Sequence, residues 1–164
     1  MKQERGFSLI ELLIVVAIIL IIAAIAIPNL LRAKISTNEA SAAASVRDMS
    51  TAEVAFNAAY PATGYTTLVT LGGASPCTPS PLTGCFLDNI LASGAKSGYQ
   101  FAAKGIGAAP SLEFVVGGTP QNFNITGVRD FCSVTDGVMR IDPGAAGAVP
   151  PPDVATCQAY AVAQ

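Results

Sequence analysis

The chain has 164 residues, 51% of them apolar, with nine Lys and Arg against eleven Asp and Glu and no histidine. A net charge of -2 with scattered basic residues excludes a general nucleic-acid surface, which needs clustered Lys and Arg to neutralise phosphate. Without histidine, and with no C-x-x-C spacing, the usual zinc sets and histidine-based catalytic sets are excluded too, and no cofactor or metal site is expected.

The chain opens on a short polar segment, residues 1–6, that carries Lys2 and Arg5 and ends at Gly6. An apolar run follows over 7–31, with no polar side chain from Leu12 to Ile27. It is long enough to cross a bilayer, for which about 20 apolar residues suffice. Glu11 is the one charged residue between Arg5 and Arg32. An ionised carboxylate in such a run costs roughly 2.5–3.5 kcal/mol at the membrane centre and less near an interface, so Glu11 calls for a partner. Pro28 removes a backbone donor and predicts a kink or local melting over residues 24–28. The positive-inside rule gives no orientation, because Lys2 and Arg5 precede the span while Arg32 and Lys34 follow it.

Residues 32–60 are rich in alanine and free of glycine and proline, which predicts that one helix continues from about Phe7 to Tyr60. Its second half is amphipathic, with Ala42, Met49, Ala52, Phe56 and Ala59 on one arc, Arg47 pointing away, and Asp48 and Glu53 at the border. Residues 61–98 read as a Gly- and Pro-rich connecting loop with a short helical turn around 86–91. Strands are predicted at 99–103, 112–116, 122–126, 129–134 and 138–142, with Asp136-Gly137 as a hairpin turn. The tail from Asp142 is low in complexity and cannot form a core alone. The resulting class is α+β: a long helix whose second half packs on a small antiparallel sheet, with residues 99–164 supplying that sheet and its tail.

Cys77, Cys85, Cys132 and Cys157 form an even set, suited to an oxidising compartment. Three pairings are open. The expected one joins Cys77 to Cys85 across a Pro-rich loop and Cys132 to Cys157 at the tail, where a loop of that size contributes about 3–4 kcal/mol in the chain-entropy account.

The order of a basic leader, Gly6, Phe7, Glu11 four positions on, a long apolar run and Pro28 resembles the amino-terminal signal of type IV pilins and of the related pseudopilins of type II secretion. An ordinary secretory signal has a shorter apolar core and a small-residue exit, and a plain anchor does not account for Gly6-Phe7 together with Glu11. The resemblance implies cleavage between Gly6 and Phe7 by a prepilin peptidase, N-methylation of Phe7, and a kinking role for Pro28. It further implies a precursor in the bacterial inner membrane with its head outside the cytoplasm, an assembly platform with an ATPase in that membrane, and a homopolymer of identical subunits as an extracellular filament. Glu11 is then expected to pair with the amino terminus of its own or a neighbouring subunit, which makes it an assembly residue.

Other readings are weaker. A major secretion pseudopilin is the alternative within the superfamily, but Asp136, Asp142 and Asp153 lack the spacing of a calcium loop and read as turn and surface residues. Glu11 argues against a tip-type minor subunit. Gly105-x-Gly107 is a fragment of a nucleotide motif, no nucleophile elbow or Walker loop occurs, and so an enzyme is not expected. Asn124-Ile125-Thr126 matches a glycosylation acceptor at chance level. Phe7, Phe56, Tyr60 and Tyr65 could form an aromatic path, though Phe56 reads more simply as core.

Overall fold

The computed structural model describes residues 7–163. They fall into two units, one through Lys34 and one from Ile35 onward, and a single helix, α1 (Leu9–Ala59), contributes to both.

In the first unit every Leu, Ile and Val from Leu9 to Leu31 is exposed. A helix that is apolar all round, rather than on one stripe, requires apolar surroundings, and α1 is long and apolar enough to cross a membrane. Pro28 lies inside it, yet residues 24–28 stay helical, so the expected local melting does not occur. Proline removes a single donor, and the turns on either side keep their own bonds.

In the second unit α1 buries Glu39, Ala42, Val46, Met49, Glu53 and Phe56. Their spacing alternates between three and four, which places them on one face. Ala59, expected on that face, is exposed because it sits in the last turn, where the chain leaves for Pro61. The face packs on a sheet of six strands in simple sequential order: β1 (Ala95–Lys96), β2 (Tyr99–Ile106), β3 (Glu113–Pro120), β4 (Asp130–Val134), β5 (Arg140–Asp142) and β6 (Ala161–Val162). All pairs are antiparallel; β2 meets β3 from Tyr99↔Pro120 to Ile106↔Glu113, and β3 meets β4 from Val115↔Val134 to Gly118↔Phe131. Both edge strands are only two residues long.

The two faces of the sheet bury different clusters. Phe101, Phe114, Val116 and Phe131 join Val46, Met49 and Phe56 of α1 in the main core, together with Leu68, Leu71 and Leu91. On the opposite face Val115, Cys132 and Val134 pack with Cys157 and, at the margin, Val154 and Tyr160. Strand β3 is therefore covered on both sides, which suits its continuous Phe114-Val115-Val116 run. Gly127 lies against the Tyr99 ring, where a side chain would collide with the phenol; the Tyr99 hydroxyl donates to the Arg129 carbonyl at 2.9 Å.

Four further expectations need correction. Residues 122–126 form a turn and not a strand: Thr126 N–H donates to the Asn122 carbonyl, and Asn124 adopts φ 63°. Strand β5 begins at Arg140 and not at Val138, because Asp136 accepts from the Val138 N–H at 2.9 Å and draws it into the turn. The connection 61–98 is more ordered than a loop, with α2 (Leu68–Leu71), α3 (Asn89–Ala92) capped by Asp88, and β1. The tail folds as well: Asp153 caps α4 (Val154–Gln158) through the Thr156 N–H, and β6 returns to β5.

Candidate functional site

Of the amino-terminal residues singled out above, Gly6 lies outside the described residues. Phe7 is exposed ahead of the helix. Glu11 occupies the first turn of α1, and its Oε2 accepts from the Ser8 N–H at 3.0 Å. The Ser8 carbonyl in turn accepts from the Glu11 and Leu12 N–H groups at 3.1 and 3.2 Å. Ser8 thus stands as the N-cap residue and Glu11 as the acid three positions on, reaching back to satisfy one of the donors that a helix start leaves free. The signal is legible in Ser8-Leu9-Ile10-Glu11, an S-x-x-E sequence, and gives the carboxylate a local partner in addition to any that a neighbour provides. A carboxylate there also complements the positive end of the helix dipole.

The head is fastened to its part of α1 by two buried glutamates. Glu39 accepts from the Val128 and Arg129 N–H groups at 2.9 and 3.2 Å through Oε1, and from Arg129 Nε and Nη2 at 2.8 and 2.6 Å through Oε2. All this joins α1 to the start of β4. Glu53 is fully buried, and Oε2 accepts from the Thr66 N–H at 3.0 Å, while Oε1 has no hydrogen-bond partner among the described residues. Burial pushes the Glu53 carboxyl from an ordinary 4.5 up to about 7, against the lowering effect of the Thr66 hydrogen bond. Nothing in composition marks these two acids as buried; the sign is their phase, since both fall in step with Ala42, Val46, Met49 and Phe56.

Cys77 is bonded to Cys85, and Cys132 to Cys157. The first closes the segment between α2 and α3, and the second holds α4 against β4 in the outer cluster. Phe56 is core, stacked obliquely on Tyr60 at 5.0 Å and edge-on to Phe86 at 6.3 Å, while Tyr65 pairs separately with Phe114 at 4.8 Å.

With this geometry in hand, residues 1–27 match the prokaryotic N-terminal methylation motif. The chain is similar to the type IV wide pilus major component PilA4 of Thermus thermophilus, 52% identical over 48 residues, which is 29% of this chain and 37% of the relative. It is also similar to the type IV major pilin protein PilA of Myxococcus xanthus, 46% identical over 54 residues, or 33% of this chain and 24% of the relative. The chain therefore matches only about a third and a quarter of the length of these relatives. The methylation motif and both relatives support a type IV pilin. The long apolar helix and the six-stranded antiparallel sheet give an α+β arrangement consistent with the pilin fold.

Proposed function

We propose that this protein is a repeating subunit of a type IV pilus. A prepilin peptidase would remove residues 1–6 by cleavage between Gly6 and Phe7, and Phe7 would become the methylated amino terminus of the mature chain. The apolar half of α1, residues 7–31, would hold the precursor in the inner membrane as a single span with the head outside the cytoplasm. The same residues would then pack against identical helices in an extracellular filament. The observation that carries this reading is the placement of Glu11, one acid in the first turn of a helix whose next sixteen or so residues offer lipid nothing polar.

Leaving lipid for a filament core yields no hydrophobic gain, because acyl chains are as apolar as leucine. Selectivity must come from packing and from charge. A neighbour's new amino group brought to Glu11 pairs both ions, whereas a misplaced neighbour leaves the amine unpaired and Glu11 with only the Ser8 N–H, and a buried ion without its counter-ion is costly. An assembly platform and ATPase in the membrane would supply the work of extraction.

The test is a sheared surface fraction, viewed by electron microscopy and sequenced by mass spectrometry. Fibres whose subunit begins at methylated Phe7 are expected. Glu11→Ala should still be membrane-inserted and cleaved but yield few fibres, and a normal fibre yield would remove the charge-pairing mechanism. Wild-type protein that keeps residues 1–6 would overturn the assignment as a whole.

A further inference from the structure

Asp130 opens β4 and stands directly opposite Asp142 in the β4–β5 ladder. Opposed residues of an antiparallel pair share one face with Cβ atoms about 4.5–5.5 Å apart, and like charges placed so repel. Asp130 is 2% exposed, and its Oδ1 has no hydrogen-bond partner among the described residues. A buried carboxylate without a donor is costly.

The chain then folds back over this pair. Gly144 adopts φ +74°, and its N–H donates to Asp142 Oδ2 at 3.2 Å. A Cβ on Gly144 would sit 3.3 Å from Asp130 Oδ1 and would collide with the Val128 carbonyl oxygen. The backbone at Gly144 is thus clasped between two acids. Four residues on, the Ala148 carbonyl accepts from Gln100 Nε2 at 3.2 Å, which pins the far end of the same loop.

Among the described residues, the other ionisable groups around the pair supply no cation. Tyr160, after α4, and Tyr99, from β2, both lie within its field, and each phenol is pushed up by burial first and by Asp130 among the charges. Arg129 is held by Glu39 of α1, and Arg140, two residues from Asp142 along β5, is held by Asp136.

We propose that a proton on Asp130, facing the Asp142 carboxylate, forms a latch that fastens the 143–148 loop to the sheet, and that its loss loosens the loop. A single proton gives the buried Asp130 oxygen something to donate and removes one of the two opposed charges. Burial first, and then the charge of Asp142, push the Asp130 carboxyl from 3.8 up to about 6. The folded chain therefore holds an extra proton between about pH 4 and pH 6. The stabilisation is complete below that window and is lost as pH rises through it. Both acids lie in the head, so the latch stands whether or not the chain forms pili.

The experiment is amide hydrogen exchange on the full chain in detergent micelles at pH 5 and pH 8, corrected for the intrinsic exchange rate. Protection at 144–148 should fall about tenfold at pH 8, because pH 5 lies about one unit below the pH near which the folded Asp130 carboxyl gives up its proton. Asp130→Asn and Asp142→Asn should each keep that protection at both pH values; either variant serves if the other fails to fold, since each removes one opposed charge. Wild-type protection that is the same at both pH values would overturn the latch. So would an undiminished loss in a folded Asn variant, or a loss at pH 8 that added calcium reverses, which would put a cation where the proton is proposed.

Discussion

Glu53→Gln separates a charge effect from a packing effect in the core. Glutamine keeps the size of the side chain and an oxygen for the Thr66 N–H, but it cannot ionise. In the wild type the carboxyl titrates at about 7 in the folded head, against an ordinary 4.5. Between those values the folded state binds more protons than the unfolded one, so stability falls as pH rises, and the loss is complete above about pH 7. A displacement of two to three units corresponds to about 3 kcal/mol. The variant should therefore gain little at pH 4.5 and about 3 kcal/mol over wild type at pH 8. Urea unfolding of the full chain in micelles, followed by near-ultraviolet circular dichroism of its tyrosines, measures this difference at each pH. The amide nitrogen of glutamine brings a donor of its own to the position of Oε1, and any cost of placing it is independent of pH. The slope of the difference is thus diagnostic, and a gain that does not vary between pH 4.5 and pH 8 would refute the reasoning.

Three further outcomes are expected from the same unfolding measurement. Glu39→Ala should cost about 2–4 kcal/mol, because it leaves the Val128 N–H without its acceptor and removes both bonds to the Arg129 guanidinium; a cost below 1 kcal/mol would mean that water replaces the carboxylate. Replacing Cys132 and Cys157 together by serine should cost about 3 kcal/mol and free the tail first, seen as early proteolysis after residue 142. Ser133→Ala should stabilise the head by about 1 kcal/mol, since the Ser133 hydroxyl is buried without a partner among the described residues; a loss of similar size would show that water satisfies it.

The parts of this molecule that are legible in its sequence are those governed by one local rule. Glycine and proline are missing from Asn29 to Tyr60, Pro61 follows at once, and α1 ends at Ala59 accordingly. Asp136-Gly137 turns the chain between β4 and β5, with Gly137 at φ +69°. What escaped a local reading depends on contacts distant in sequence. Glu39 and Glu53 fall in step with the buried face of α1, but the N–H groups of residues 128, 129 and 66 that make their burial tolerable are brought to them only by the fold. Asn122-Phe123-Asn124-Ile125-Thr126 alternates like a strand, yet the Thr126 side chain bonds back to Asn122 and closes a turn. The tail is too poor in apolar area to predict, and its order comes from Asp153 capping a five-residue helix that Cys157 fixes to β4.

The two-residue strands at the margins of the sheet bear on how copies of this chain meet. An open margin with many free N–H and carbonyl groups is a template for another molecule's backbone, the route by which β-rich proteins clump. Here β1 covers only Ala95–Lys96 and β6 only Ala161–Val162, so either side offers a stranger little length to zip against. Copies of this chain crowded together are thereby steered away from backbone stacking.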